Sequence, residues 1–316
     1  MPALTDTLLA RALDAAIFLR WPRIPRRYRL ARGATPQVAF PRTYSERIQW
    51  RKVFDRNPAF VMFSDKLAAK DYVTRTCPGL AVPRTLWTGT AIEDAPEGLL
   101  AGDVVVKANS GSGTNVFIRG GQYDRAELRE KTRGWMARPF GGRNAEWAYR
   151  PIERRLFIEE MLGTPEAPLI EINIRAGGGR IAHGGLLLHG KTLQQSVIYL
   201  DERGERTAVL AGQGIARETL EAMPVPPGYA EAVHHATVMS RDLDFARYDF
   251  FWAGGRLYGG EITLYPQSGY SAMNPYEQAV LATWDIRRSW FMTTELRGWR
   301  AVYRDALRRH LDRTGQ

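Results

Sequence analysis

Apolar residues recur at helical spacing at Leu9, Ala12, Leu13, Ala16 and Ile17, which predicts a helix over residues 4–20. A Pro- and Arg-rich stretch from Pro22 to Pro41 reads as a connector. Thr43 or Ser45 offers a cap for a helix carrying Ile48, Trp50, Val53 and Phe54, and Asp55–Pro58 breaks it. A further helix is predicted from about Ser64 to Pro78–Gly79, then a short strand at Val82–Trp87. The β-branched run Val104–Val106 predicts a buried strand ending at Lys107, with Val116–Arg119 as its antiparallel partner. Ala126–Ala137 reads as a helix, and Leu156–Glu160 and Leu169–Arg175 as strands. Gly177–Gly179 turns the chain into Ile181–Leu188, and Tyr229–Leu243 is helical. Phe245–Trp252 and Arg256–Leu264 form a hairpin around Ala253–Gly255, and one long helix is predicted from about Tyr276 to the end. Strands and helices are interspersed without internal repeats, so the fold class is α/β or α+β.

Composition narrows this picture. The chain has 316 residues, 44% hydrophobic and 25% charged, which is ordinary for a folded protein of about two domains. No apolar run approaches the ~18 residues of a membrane span. The stretch from Leu8 to Leu19 is interrupted by Arg11 and Asp14 and lacks a basic segment before it, so it does not read as a secretory signal. The single cysteine, Cys77, rules out an internal disulfide and fits a reducing cytoplasm.

The net charge of +10 is concentrated locally. Arg20, Arg23, Arg26, Arg27, Arg29 and Arg32 crowd the N-terminal arm, and Arg287, Arg288, Arg297, Arg300, Arg304, Arg308 and Arg309 crowd the C-terminus. Such patches attract phosphates, acidic glycans or anionic lipid. No nucleic-acid-binding motif accompanies them, so no nucleic-acid partner is expected. The arm is expected to lie outside any nucleotide site, either docked on an anionic membrane or glycan or packed on the core.

The chemistry concentrates in two places. In Asp103–Asn115, Lys107 ends the strand and Ser110, Gly111, Ser112, Gly113 and Thr114 follow as a flexible turn. Glycine lets backbone N–H groups approach a ligand, and Ser, Thr and Lys add donors and charge, a combination suited to a polyphosphate. Lys107 precedes the glycines, so this is not a P-loop, and no third glycine makes it a Rossmann fingerprint. In the later hairpin, Asp249 and Glu261 fall at nearly opposed positions and point to one face. Paired half-buried carboxylates suit Mg²⁺, which takes one or two of them plus phosphates and water; a structural salt bridge to Arg247 or Arg256 is the alternative. His183, His189, His234 and His235 are acid/base candidates, with packing or surface roles more common for such residues.

Three blocks, KxNxGSG, FIEEML (Phe157–Leu162) and RYDFF…GGEITLYPQSG (Arg247–Gly269), occur in an order that resembles the ATP-grasp superfamily, which includes D-alanine–D-alanine ligases. The segments FPRTYSERIQWRKVFDRNP and SDKLAAKDYV, with Glu146–Tyr149, are similar to its TupA-like branch, associated with cell-surface polysaccharide synthesis. The resemblance spans roughly residues 40 to 275. It implies an ATP-grasp fold holding ATP between two α+β subdomains. The implied boundaries are 1–40 for the arm, 41–100 and 101–162 for the N-terminal and central subdomains, 163–275 for the C-terminal one and 276–316 for a closing helix.

The resemblance also implies roles. Lys66 and Lys107 match phosphate-binding lysines, and Ser110–Thr114 resembles a lid over the phosphates. Glu159, Glu160, Met161 and Leu162 resemble the hinge that reads adenine, and Glu166 or Glu171 would hold the ribose. Asp249 and Glu261 match magnesium ligands, with Thr263 where many relatives carry Asn. Lys107, Arg175 and Arg247 are the implied catalytic cations, and Tyr265, Ser268 and Gly269 fall where related ligases hold the second substrate. The implied activity is an ATP- and Mg²⁺-dependent carboxylate–amine ligase acting through an acylphosphate on a small molecule or glycan. A phosphotransferase that stops at a hydroxyl, and a non-catalytic nucleotide-binding scaffold, are the alternatives.

Overall fold

The computed structural model describes residues 2–164, 167, 169–188, 195–213, 215–270 and 276–315. The sequence-predicted Glu166 and His189 lie outside them. Helix α1 (Pro2–Arg20) is followed by α2 (Arg23–Arg32), α3 (Tyr44–Phe54), α4 (Ala59–Ser64) and α5 (Lys66–Thr76). Strand β1 (Thr85–Gly89) precedes β2 (Val104–Ala108) and β3 (Asn115–Ile118), then α6 (Arg125–Ala137) and β4 (Leu156–Glu160). Next come β5 (Ile170–Gly177), β6 (Arg180–Leu188), β7 (Ser196–Leu200) and β8 (Arg206–Leu210). Helices α7 (Arg217–Ala222) and α8 (Gly228–Met239) lead to β9 (Ala246–Ala253) and β10 (Arg256–Thr263). Helices α9 (Glu277–Thr283), α10 (Trp290–Thr293) and α11 (Trp299–Thr314) follow.

The strands make two sheets, ordered β1-β4-β2-β3 and β10-β9-β5-β6-β7-β8, and every pairing in them is antiparallel. The fold is therefore mixed, on the α+β side. Alternation assigns the faces. In the four-stranded sheet Val104, Val106, Ala108, Ile118, Leu156 and Ile158 form a core under α6, while Val105, Lys107 and Glu159 point the other way. In the six-stranded sheet Ile172, Ile174, Tyr248 and Phe250 join Ala232, Ala236 and Met239 of α8 in the main core. Glu171, Asn173, Arg175, Arg247 and Asp249 occupy its other face.

Two expectations are corrected. The Pro22–Pro41 connector contains α2, because Pro22 and Pro25 sit where a helix start needs no N–H donor, and Gly33 (φ 70°) caps the far end. The final helix is broken into α9, α10 and α11, with Asp285 and Ser289 capping new starts and Gly298 (φ 60°) before α11. Strands β7 and β8 carried no expectation from the sequence. The cap at Thr43 is present as a capping box with Glu46.

Helix α3 departs most from its amphipathic pattern. Glu46, Arg47, Gln49, Arg51 and Lys52 are all buried beside Ile48 and Trp50. Arg51 pairs with Asp244 at 2.8 Å and donates to the Leu264 carbonyl, while Gln49 and Lys52 donate to the Ser268 carbonyl. The helix thus fastens the segment leaving β10. The N-terminal arm is packed rather than free: Ala10, Ile17 and Ile24 enter a core with Trp50, Phe291 and Leu307, and Asp6 pairs with Arg309 and Arg313. Among the described residues no helix is long and apolar enough to cross a membrane.

Candidate nucleotide and metal cleft

The inner faces of the two sheets meet over a cleft of about 250 Å³. Its lining includes Lys66, Lys107, Gly113, Thr114, Glu159, Glu160, Met161, Leu162, Glu171, Arg247, Asp249 and Glu261. The structure thus brings together most of the residues singled out in the sequence from five separate segments.

One wall is cationic. Asp65 caps α5 by accepting from Leu67 N–H at 2.9 Å, and Lys66 N–H donates to the Asn109 carbonyl at 2.9 Å. The glycine turn is therefore tied to the start of the lysine helix. Lys66 Nζ reaches the Gly111 carbonyl and lies 3.7 Å from Glu261. Gly111 (φ 112°) and Gly113 (φ 76°) adopt backbone angles that side chains disfavour, which explains the glycines. The buried hydroxyls of Ser110 and Thr114 have no hydrogen-bond partner among the described residues. Of the turn, Gly113 and Thr114 line the cleft, while Ser110 is buried against Asp65.

Lys107 does not stand alone. Its ammonium donates to Glu159, and the other Glu159 oxygen accepts from Lys70 at 2.6 Å. Lys70 also donates to the Pro83 carbonyl at 2.8 Å. Burial lowers the Lys70 pKa, with Glu159 opposing that shift. The side chain of Glu159, at the start of the expected hinge, is the buried anchor of two lysines. Glu160 N–H donates to the Arg84 carbonyl at 3.0 Å, and Glu160, Met161 and Leu162 line the cleft. Sequence reading missed Lys70. The signal was present: Lys66 and Lys70 are four apart on one helix and share a face.

The opposite wall is acidic. Strands β9 and β10 close through Gly254 (φ 56°) and Gly255 (φ 75°). Pairing runs from Phe250↔Gly259 to Tyr248↔Ile262, so Asp249 faces two residues, Gly260 and Glu261. This β-bulge, rather than simple opposition, brings the carboxylates together. Glycine is required at the bulge, because a Cβ on Gly260 would sit 2.7 Å from the Asp249 carbonyl oxygen. Gly259 likewise lets α5 approach β10, since a Cβ there would meet Val73 at 2.8 Å. Helix α5 therefore spans both walls.

Asp249 is held by Arg247 through two 2.6 Å bonds and by Thr263 Oγ1 at 3.3 Å. Burial pushes its carboxyl up to about 6, against the pull of Arg247 and with help from Glu171 and Glu261. Burial works against the Arg247 charge, but Asp249 holds its pKa above the ordinary value. The structure thus pairs Asp249 with Arg247, the arrangement set against metal binding in the sequence reading. Among the described residues no group of three or more His, Cys, Asp or Glu side chains is poised as a metal cage. The donors nevertheless fit Mg²⁺ arriving with phosphates, because Asp249, Glu261, Glu171 and Thr263 are hard oxygen ligands. Glu171 accepts from Asn173 at 3.1 Å.

Other sequence candidates fall elsewhere. Arg175 lies beside Arg247 and His183 in the sheet register but does not line the cleft. Ser268 and Gly269 face α3: Lys52 takes the Ser268 carbonyl at 2.8 Å, and a Cβ on Gly269 would strike Ile48 at 2.7 Å. Tyr265 is buried, its ring 6.4 Å from that of Tyr149. His183 is buried and stacked on Tyr276 at 4.6 Å, and burial followed by Arg175 lowers its pKa to about 3.

No family model and no curated protein sequence matches the chain. Among solved structures, D-alanine–D-alanine ligase from Bacillus anthracis is similar at 15% identity, over 80% of this chain and 68% of that one, with a TM-score of 0.43. An ADP complex of N5-carboxyaminoimidazole ribonucleotide synthetase matches at 14% identity, over 64% and 45% of the two chains, with a TM-score of 0.38. The ATP-grasp ligase PsnB with a minimal precursor matches at 13% identity, over 84% and 68%, with a TM-score of 0.37. At these values the likeness carries no functional argument.

Proposed function

We propose that this protein is an ATP- and Mg²⁺-dependent ligase that joins a carboxylate to an amine through an acylphosphate. The observation that carries the reading is the charge distribution of the cleft. Lys66, Lys107 and Arg247 line it with Glu159, Glu160, Glu171, Asp249 and Glu261, and Lys70 and Arg84 pair with Glu159 and Glu160 from beside it, so cations and carboxylates balance. A triphosphate entering this charge-balanced space needs further positive charge, which a divalent cation held by Asp249 and Glu261 would supply. A glycine turn beside Lys66 and Lys107 fits the phosphates.

The chain's own residues then account for the chemistry. Lys66 and Lys107 neutralise and orient the phosphates, and Glu159 with Lys70 fixes where Lys107 points. When bound, Mg²⁺ supplies charge stabilisation to the phosphoryl group in flight. Substrate carboxylate attacks the γ-phosphorus, the bond to ADP breaks, and Arg247 stands beside the developing charge. The amine then attacks the acyl carbon, phosphate leaves, and the amine gives up a proton. Such transfer depends on positioning and charge rather than on a protein nucleophile. The TupA-like resemblance supports a polysaccharide precursor or related small acid as substrate.

Calorimetry with a non-hydrolysable ATP analogue tests this directly. Binding that appears with Mg²⁺ and disappears with chelator is expected; no binding, or binding indifferent to chelator, removes the proposal. ADP release only when acid and amine are both present separates a ligase from a kinase.

A further inference from the structure

A second cavity, of about 660 Å³, opens where the arm meets the 141–150 segment. Arg20, Arg23, Arg56, Arg143 and Arg150 line it with Trp21 and Trp147, and no Asp or Glu is among its lining residues. None of these five arginines is in a salt bridge with another described residue. That contrasts with Arg309, Arg313 and Arg287, whose charges are matched by Asp6 and Asp312. Arg56 is half-buried over the Trp147 ring at 5.1 Å, and that indole donates to the Asp55 carbonyl at 3.1 Å. Burial, with Arg300 adding to it, lowers the Arg56 pKa, while Tyr265 and Asp55 oppose the shift. Concentrating unpaired guanidinium groups in one concave site is unfavourable unless an anion occupies it.

The same segment reaches the reaction cleft. Phe140 lies against the glycine turn, 3.2 Å from where a Gly111 Cβ would be, and stacks edge-on with Tyr149 at 5.0 Å. Tyr149 in turn neighbours Glu261 and Tyr265. One short stretch of chain therefore runs from the phosphate turn to the arginine cavity.

We infer that this cavity binds a phosphate or diphosphate group carried by a soluble acceptor substrate, anchoring it while its reactive end enters the cleft. This deepens the ligase reading and rests on it for the anchoring role. Guanidinium groups match phosphate oxygens with paired donors, whereas a single carboxylate would leave most of the five cations unmatched.

The test uses the full chain and inorganic pyrophosphate, titrated calorimetrically in the presence of chelator. The variant Lys66→Ala/Lys107→Ala removes competing phosphate binding in the cleft. It is expected to bind one pyrophosphate. Adding Arg20→Gln, Arg23→Gln and Arg143→Gln, all exposed side chains, is expected to weaken that binding by at least about tenfold at an unchanged melting temperature. Absent binding, or equal affinity with and without the arginines, overturns the site. Vesicles containing phosphatidylglycerol identify the source of the phosphate. Equal sedimentation of the wild type and the arginine variant supports a soluble ligand. Sedimentation that needs the arginines, without pyrophosphate binding, overturns the assignment in favour of a membrane surface. No step uses ATP, so loss of ATP binding would sink the ligase reading and leave this result standing.

Discussion

On the lysine wall of the cleft, charge is shared and adjustable. Lys70 and Lys107 divide one buried carboxylate between them, and Lys66 rests on a backbone carbonyl. On the facing wall charge is clamped. Asp249 has both oxygens occupied by one guanidinium, within a β-bulge that only glycine permits. An arriving phosphate can take Lys66 and Lys107 without leaving a buried anion stranded, because Lys70 keeps Glu159. An arriving cation must instead compete with Arg247 for Asp249. The lysine wall is thus prepared for ligand before it binds, whereas the carboxylate wall has to exchange a partner.

The largest effect expected from breaking this contrast is loss of turnover. Asp249→Asn with Glu261→Gln keeps the side-chain shape, replaces one acceptor oxygen of each carboxylate by an NH2 donor, and removes the charge that would hold the metal. ATP-dependent turnover is expected to fall by ~10²–10³ or more, with circular dichroism unchanged. Normal turnover in the double variant would mean that these carboxylates serve the fold through Arg247 and hold no metal.

Next in size, Lys107→Ala should weaken binding of the ATP analogue by ~2–5 kcal/mol, as loss of a close charge partner does. Lys70→Met should cost less than about tenfold, since Lys107 retains Glu159 and only its orientation relaxes. Equal losses in the two variants would show that Lys70 itself meets the ligand and that the sharing through Glu159 is incidental.

The same contrast explains what the sequence disclosed. The lysine wall was legible because strand alternation and a local glycine turn specify it: Val104, Val106 and Ala108 face inward, so Lys107 faces out toward the cleft. The approach of Asp249 to Glu261 was legible only roughly, because a bulge shifts register in a way periodicity does not encode. Partners fixed by long-range contact were not legible. Glu159 joins Lys70 across 89 residues and Arg51 joins Asp244 across 193, and nothing local marks either pair. The burial of the α3 charges was not legible for the same reason, since tertiary partners override the amphipathic rule. Ser268 and Gly269 were assigned to a substrate site because of their place in a motif, but α3 occupies that side of the segment.

The smallest effect concerns the outer end of the acidic sheet face, where charge gives way to a neutral cluster. His183 pairs in register with Arg175, which pairs with Arg247, so one row leads from the clamped carboxylate to a buried imidazole. Burial, reinforced by Arg175, lowers its pKa to about 3, well under the unperturbed value of ~6.5. Between those values the unfolded chain binds a proton that the native protein refuses. Stability contributed by neutral His183 is therefore complete above about pH 6.5 and is lost as pH falls, by up to ~1.4 kcal/mol per unit. Near the top of that window, from pH 7 to pH 6, the loss is under about 1 kcal/mol. Urea unfolding at pH 7, 6 and 5 should show a steeper decline for the wild type than for His183→Phe, which cannot be protonated and keeps a ring against Tyr276. Parallel declines would place a proton on native His183 and extend the charged face of the sheet one strand further than its burial allows.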